Sequence, residues 1–165
     1  LKDEPEKMRP AVPKRTKSEQ GIVVEGLSNC LVKFAKCCTP VPGDDIVGFI
    51  TRGYGVSVHR ADCPNAAPAR RKPEEEGRWI KVSWGDNTRE DYRTTLEVVA
   101  KDRLNLIMDI STILSSTKTR VTNLSARFAL ITIEVGVADS EQLSTVRRRL
   151  EQVSGVMRVT RPAGK

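Results

Sequence analysis

Cys37, Cys38, His59 and Cys63 are the residues of this 165-residue chain whose types and spacing could do chemistry. Three thiols and the chain's single histidine form a four-donor Cys3His set. Zinc takes such sets in tetrahedral geometry, because thiolate and imidazole match its borderline softness. His59 and Cys63 are separated by three residues, so one helical turn would bring both to the same side. Cys37 and Cys38 are adjacent, and successive strand residues point to opposite faces. Both reach one metal only if the chain bends there, and no C-x2-C knuckle is present. The competing reading is that the cysteines are small buried core residues and His59 is hydrogen-bonded at the surface. A Cys37 or Cys38 nucleophile paired with His59 fits the residue types alone, but no oxyanion loop or orienting acid accompanies it. Cys30 reads as ordinary packing.

These residues need a small β-rich module to hold them. Leu31–Ala35 reads as a strand, and Pro40, Pro42 and Gly43 then turn the chain. Ile46–Thr51 and Val56–His59 read as two further strands joined by the glycine-rich loop Arg52-Gly53-Tyr54-Gly55. Asp62-Cys63-Pro64-Asn65 reads as a short helical turn. The module spans residues 21–65. Residues 1–20 are charged, proline-containing and aperiodic, and are expected to be a linker. Residues 66–91 form a second linker with an accessory strand, Trp79–Trp84, able to pack back on the module.

Residues 92–165 read as strand, helix, strand, strand, helix, strand. Leu96, Val98 and Ala100 alternate; Ile107, Ile110 and Leu114 recur at helical spacing. Leu143, Val146, Leu150 and Val153 form an amphipathic stripe, with Asp139 or Ser140 able to cap it and Gly155 able to end it. This is the split βαβ, ferredoxin-like order. The predicted fold class is α+β, a small β-rich cysteine module followed by a βαββαβ domain. The second and third strands of that domain meet at Arg127-Phe128-Ala129-Leu130, which lacks every usual turn residue. A short mobile loop, missing from this sequence, is therefore expected at that junction.

Charge narrows the partners. The net charge is +7, and residues 92–165 supply most of it, with twelve Lys/Arg against seven Asp/Glu. Residues 21–91 are balanced. A modest basic excess suits nucleic acid. Arg52, Tyr54, His59 and Arg60 lie on or beside one glycine-rich hairpin, where an aromatic and cations could stack on an unpaired base and contact phosphate. The bland alternative is a hairpin with solubilising arginines. Arg147-Arg148-Arg149 reads as a solvated helix face or a second phosphate or partner surface. Four cysteines with no secretory pattern suit a reducing, cytoplasmic compartment, and no apolar run reaches membrane-spanning length, so no membrane partner is expected. Leu1 in place of Met is expected to mark a fragment.

The run CC-x-P-x-PGD-x-IVGFITRG-x-GVSVHR-x-DC, residues 37–63, resembles the cysteine-rich, zinc-finger-like domain of the long RelA/SpoT homologues, bacterial enzymes that make and hydrolyse (p)ppGpp. The order of elements after it, with Asp102-Arg103 at the first strand–helix junction, resembles an ACT domain, which follows the cysteine-rich domain in that family. The resemblance implies a regulatory region of the stringent response, without catalytic residues of its own. It would contact ribosomal RNA, help sense deacylated tRNA and act on catalytic domains of the same parent. It also makes zinc at Cys37, Cys38, His59 and Cys63 and a homodimer through the ACT domain natural expectations. ACT domains that bind amino acids carry a glycine after the Asp-Arg pair, where the loop enters the helix. Here Asp102, Leu104 and Asn105 form that loop, and Asn adds bulk where glycine would admit a ligand. The alternatives are an ACT-type amino-acid sensor or an oligomerisation module of a metabolic enzyme.

Overall fold

The computed structural model describes residues 15–17, 21–25, 31–53, 55–68, 71–85 and 91–163. Two small sheets build the first half. In one, Leu31–Phe34 (β3), Ile46–Ile50 (β4), Gly55–Arg60 (β5) and Trp79–Ile80 (β6) stand in the order β3-β5-β4-β6, with β3 parallel to β5 and the other pairs antiparallel. In the other, Arg15–Lys17 (β1), Ile22–Glu25 (β2) and Val82–Trp84 (β7) pair antiparallel in that order. Ile22, Val24, Val32, Val56, Val58 and Val82 form the core of this half. Gly48 lets it close: a Cβ there would stand 2.8 Å from Val82 Cγ1 and 3.0 Å from Val56 Cγ1.

Two sequence expectations change here. Arg15–Lys17, assigned to the linker of residues 1–20, is a strand on the edge of the second sheet. The segment Trp79–Trp84 is two strands, not one. β6 pairs with β4, and after Lys81 the chain crosses to the other sheet, where β7 pairs with β2. The reason is burial: Val82 has to enter the core between the sheets.

The second half has the expected βαββαβ order. Tyr92–Ala100 (β8), Leu106–Ser116 (α1), Arg120–Arg127 (β9), Leu130–Val137 (β10), Ser140–Glu151 (α2) and Val156–Thr160 (β11) give an antiparallel sheet in the order β11-β8-β10-β9. Alternate residues of β8, from Tyr92 to Ala100, are buried. Leu106, Ile110 and Leu114 of α1 and Leu143, Val146 and Leu150 of α2 share one core with the sheet. Asp139 caps α2: its Oδ1 accepts a hydrogen bond from the Gln142 backbone N–H at 2.8 Å. Gln142 Oε1 in turn accepts one from Ala138 N–H at 2.9 Å, tying the incoming chain to the first turn of the helix.

In this sequence β9 and β10 are joined by a tight turn. Phe128 and Ala129 alone connect the strands, with Phe128 at φ 56°. The tight turn needs a left-handed residue, and here a bulky one takes that place, its side chain 91% exposed. The two halves meet along a shared seam. Val41 of the first half is buried in the core of the second, and the rings of Phe34, Trp84 and Tyr92 contact one another across the junction.

Candidate metal centre

A bend is what brings adjacent Cys37 and Cys38 to one point. The chain leaves β3 in a turn closed by the Thr39 N–H donating to Ala35 O at 2.9 Å, and Thr39 itself is left-handed at φ 43°. Strand alternation therefore no longer governs the pair, and both thiols reach the same site. His59 comes from β5, whose parallel pairing with β3 sets it beside the turn. Cys63 comes from the bend before a 3-10 turn, Pro64–Ala66, and its N–H donates to Arg60 O at 3.0 Å.

The four donor atoms lie within 4.8 Å of one another. Cys37 Sγ is 3.4 Å from His59 Nδ1, 3.6 Å from Cys63 Sγ and 3.9 Å from Cys38 Sγ, and Cys38 Sγ is 3.8 Å from His59 Nδ1. A tetrahedral zinc with Zn–S bonds of about 2.3 Å places neighbouring sulfurs about 3.8 Å apart, so the spacing fits the ion. Cys38 and Cys63 are fully buried, and Cys37 and His59 partly so. Among the described residues this is the group of Cys, His and acidic side chains that could hold a metal ion.

The electrostatics suit a site that exchanges protons for metal. Burial pushes the Cys38 thiol far above its ordinary range, and the neighbouring Cys37 and Cys63 push it the same way, while the backbone N–H of Arg60, 3.3 Å from Cys38 Sγ, pulls it back. Burial also holds His59 below its usual value, hence neutral and able to donate a lone pair. A divalent ion would supply the charge that makes the thiolates stable, and the Arg60 N–H would then support a charged sulfur. The ring of Trp79 stands 5.9 Å from that of His59, itself packed on Phe49 at 4.8 Å and under the Arg71 guanidinium at 4.5 Å. Nothing in the spacing of the motif announces Trp79 as the wall of this centre; its aromatic ring beside an accessory strand was the only available signal.

The hairpin residues fare differently. Arg52 is exposed at the β4–β5 turn, and Tyr54 lies outside the described residues, as does Cys30. Arg60 corrects the expectation of an exposed phosphate contact. Its side chain is 8% exposed and paired with Asp62, Nε to Oδ1 at 2.9 Å and Nη2 to Oδ2 at 3.3 Å. The period-two alternation of β5 buries Val56, Val58 and Arg60 together. His59 also turns its Nδ1 to the thiols rather than outward.

In the ACT loop, Asn105 sits at φ 65° as the residue before α1, in the conformation a glycine would adopt. Arg103 braces the loop: it donates to Ser154 O at 2.7 Å and Leu104 O at 2.8 Å and pairs with Asp109 at 2.6 Å. An open cavity of about 260 Å³ is lined by Asp102, Asn105, Ile107, Met108, Ala126 and Phe128, among others, while Leu104 does not line it and is 86% exposed. Arg147 donates to Val159 O at 2.9 Å, and Arg148 and Arg149 are exposed.

Comparison with known proteins bears on the whole chain. Residues 22–85 match the RelA/SpoT RIS domain, and residues 88–161 match an ACT domain. The chain is a RelA/SpoT RIS domain followed by an ACT domain. It is 38% identical over 156 residues to the GTP pyrophosphokinase of Escherichia coli strain K12, covering 91% of this chain and 21% of that protein. The GTP pyrophosphokinase of Streptomyces coelicolor is 36% identical over 153 residues, covering 90% of this chain and 18% of the relative. The chain thus spans about one fifth of the length of the curated relatives it matches. This domain pair is consistent with the C-terminal regulatory region of a RelA/SpoT protein. The crystal structure of the ACT domain from the GTP pyrophosphokinase of Chlorobium tepidum covers 43% of this chain at 20% identity, with a TM-score of 0.40. The RIS match runs through residue 85, so the segment 66–85 belongs with the cysteine module.

Proposed function

We propose that this chain is the regulatory part of a (p)ppGpp synthetase or hydrolase, which docks on ribosomal RNA and deacylated tRNA and controls catalytic domains of the same parent in the bacterial stringent response. The observation that carries the reading is the RIS–ACT order along a chain 38% identical to a GTP pyrophosphokinase over nearly its whole length. The chain itself does no chemistry on nucleotides. Its cysteine centre is a structural zinc site, closed by four protein donors and offering no open position for a substrate. Of the cations read from the sequence as phosphate contacts, Arg52 at the hairpin and Arg147, Arg148 and Arg149 on α2 are exposed, while Arg60 is withdrawn. The protein works in the cytoplasm, and no helix among the described residues is long and apolar enough to cross a membrane. Homodimers form through the ACT domain. In the full-length parent, Arg52→Ala should lower ribosome-stimulated (p)ppGpp synthesis and leave basal synthesis unchanged. Equal stimulation of both proteins would contradict the docking role.

The cavity at Asp102 and Asn105 favours a second reading, an ACT-type sensor of a branched-chain amino acid. Asn105 already holds the left-handed conformation, so its cost is bulk rather than backbone. Calorimetry with valine, leucine and isoleucine should give weak binding or none. Saturable micromolar binding would promote the sensor reading.

A further inference from the structure

We propose that Arg161, on the arm leaving the last strand of the ACT domain, is a positioning residue of the metal centre, so that metal loading and ACT docking form one linked equilibrium. The proposal rests on reading the four donors as a zinc site. Arg161 grips the segment that follows the ligand pair. Its Nη1 and Nη2 each donate to an Asp44 carboxylate oxygen at 2.9 Å, and Nη2 also donates to Thr39 O at 3.0 Å. Both side chains of this pair are 13% exposed, so solvent screens the contact little. Thr39 directly follows Cys38 and is the left-handed residue that lets both thiols face one point. A β-branched residue holds that conformation only where its surroundings fix it. Here Arg161 fixes its carbonyl, and Thr94 of β8 fixes its hydroxyl, with the two Oγ1 atoms 2.9 Å apart.

The same segment is the plug between the halves. Val41 is buried in the ACT core, and its N–H donates to Asp44 Oδ2 at 2.8 Å. Pro42 O accepts from the N–H of Ser140, the first residue of α2, at 2.7 Å. Gly43 lies against the Ser140 hydroxyl so closely that no Cβ fits there. Two residues beyond Arg161, Ala163 packs on the cluster that contains Cys38 and Cys63. Residues 38–44 thus carry a metal ligand at one end and the docking contacts at the other. Ordering either end lowers the ordering cost of the other, and the coupling is reciprocal.

The test compares the wild-type chain with Arg161→Gln. Zinc affinity is read by competition with a chromophoric chelator at fixed pH. Loss of this coupling should weaken zinc by about fivefold or more. Amide exchange at Ser140 supplies the reverse reading: zinc should slow it in the wild type and not in the variant. Arg158→Gln, which removes an exposed charge of the last strand and leaves the ACT core intact, should leave zinc affinity unchanged. If Arg161→Gln fails to fold, Asp44→Asn takes its place. A folded variant that binds zinc within twofold of wild type, or an Arg158→Gln protein equally weakened, would refute the role of Arg161 while leaving the metal centre standing. A wild-type chain that takes up no zinc would remove the metal reading itself, and the proposal with it.

Discussion

At the scale of single residues, the proposed metal centre would exchange protons for metal at buried sulfur. Protein purified without chelator should contain about one zinc per chain, and Cys63→Ser should lose it; elemental analysis of both proteins checks this. The pH dependence has a definite sign. Burial raises the Cys38 thiol, so metal has to displace a tightly held proton there, and affinity should fall as pH falls. Zinc content independent of pH across the neutral range, or none at all in the wild type, would return the cysteines to plain core packing. The four donor types were legible in the sequence, because Cys and His say what they can bind. How adjacent Cys37 and Cys38 could share an ion was not, because a threonine in a left-handed turn follows no local propensity. Arg60 misled for a related reason: a charged residue next to an exposed hairpin reads as surface, yet strand alternation buries it and Asp62 neutralises it.

At the scale of elements, periodicity predicted the order of the ACT half, but α1 buries Leu106 with Ile110 and Leu114, and Ile107, read as part of that stripe, is 39% exposed. The stripe Leu143, Val146, Leu150 and the alternation in β8 reflect one dominant force, burial of a single face, and nothing in the tertiary structure opposes it. Short strands that owe their existence to partners were harder to read. Arg15–Lys17 and the break at Lys81 follow from pairing and core access, not from local pattern. The β9–β10 turn is the clearest local conflict, with Phe128 at φ 56° and its ring in solvent. Phe128→Gly should remove the left-handed penalty of about 1–2 kcal/mol, less the added unfolded-state entropy of glycine, for a net gain of roughly 0.5–1 kcal/mol. Chemical denaturation of the two proteins measures it. A loss of stability would mean that Phe128 makes a contact worth more than its backbone costs.

At the scale of the whole molecule, the seam matters most. The Arg161–Asp44 pair joins residues 117 positions apart, which no window of sequence could connect. The seam joins the RIS and ACT domains through buried Val41 and the rings of Phe34, Trp84 and Tyr92, so under the proposed function a contact at the Arg52 hairpin would act on a body that also carries the ACT sheet. Docking on RNA would therefore be felt by both domains together. The electrostatic part of that docking has to weaken with salt, since each phosphate contact releases counterions. The most direct test is co-sedimentation of the purified chain with ribosomes at two salt concentrations, alongside Arg52→Ala. The wild type should pellet at low salt and less so at high salt, and Arg52→Ala should bind more weakly with a flatter salt dependence. A chain that stays in the supernatant at both concentrations, or pelleting identical in the two proteins at both, would contradict it.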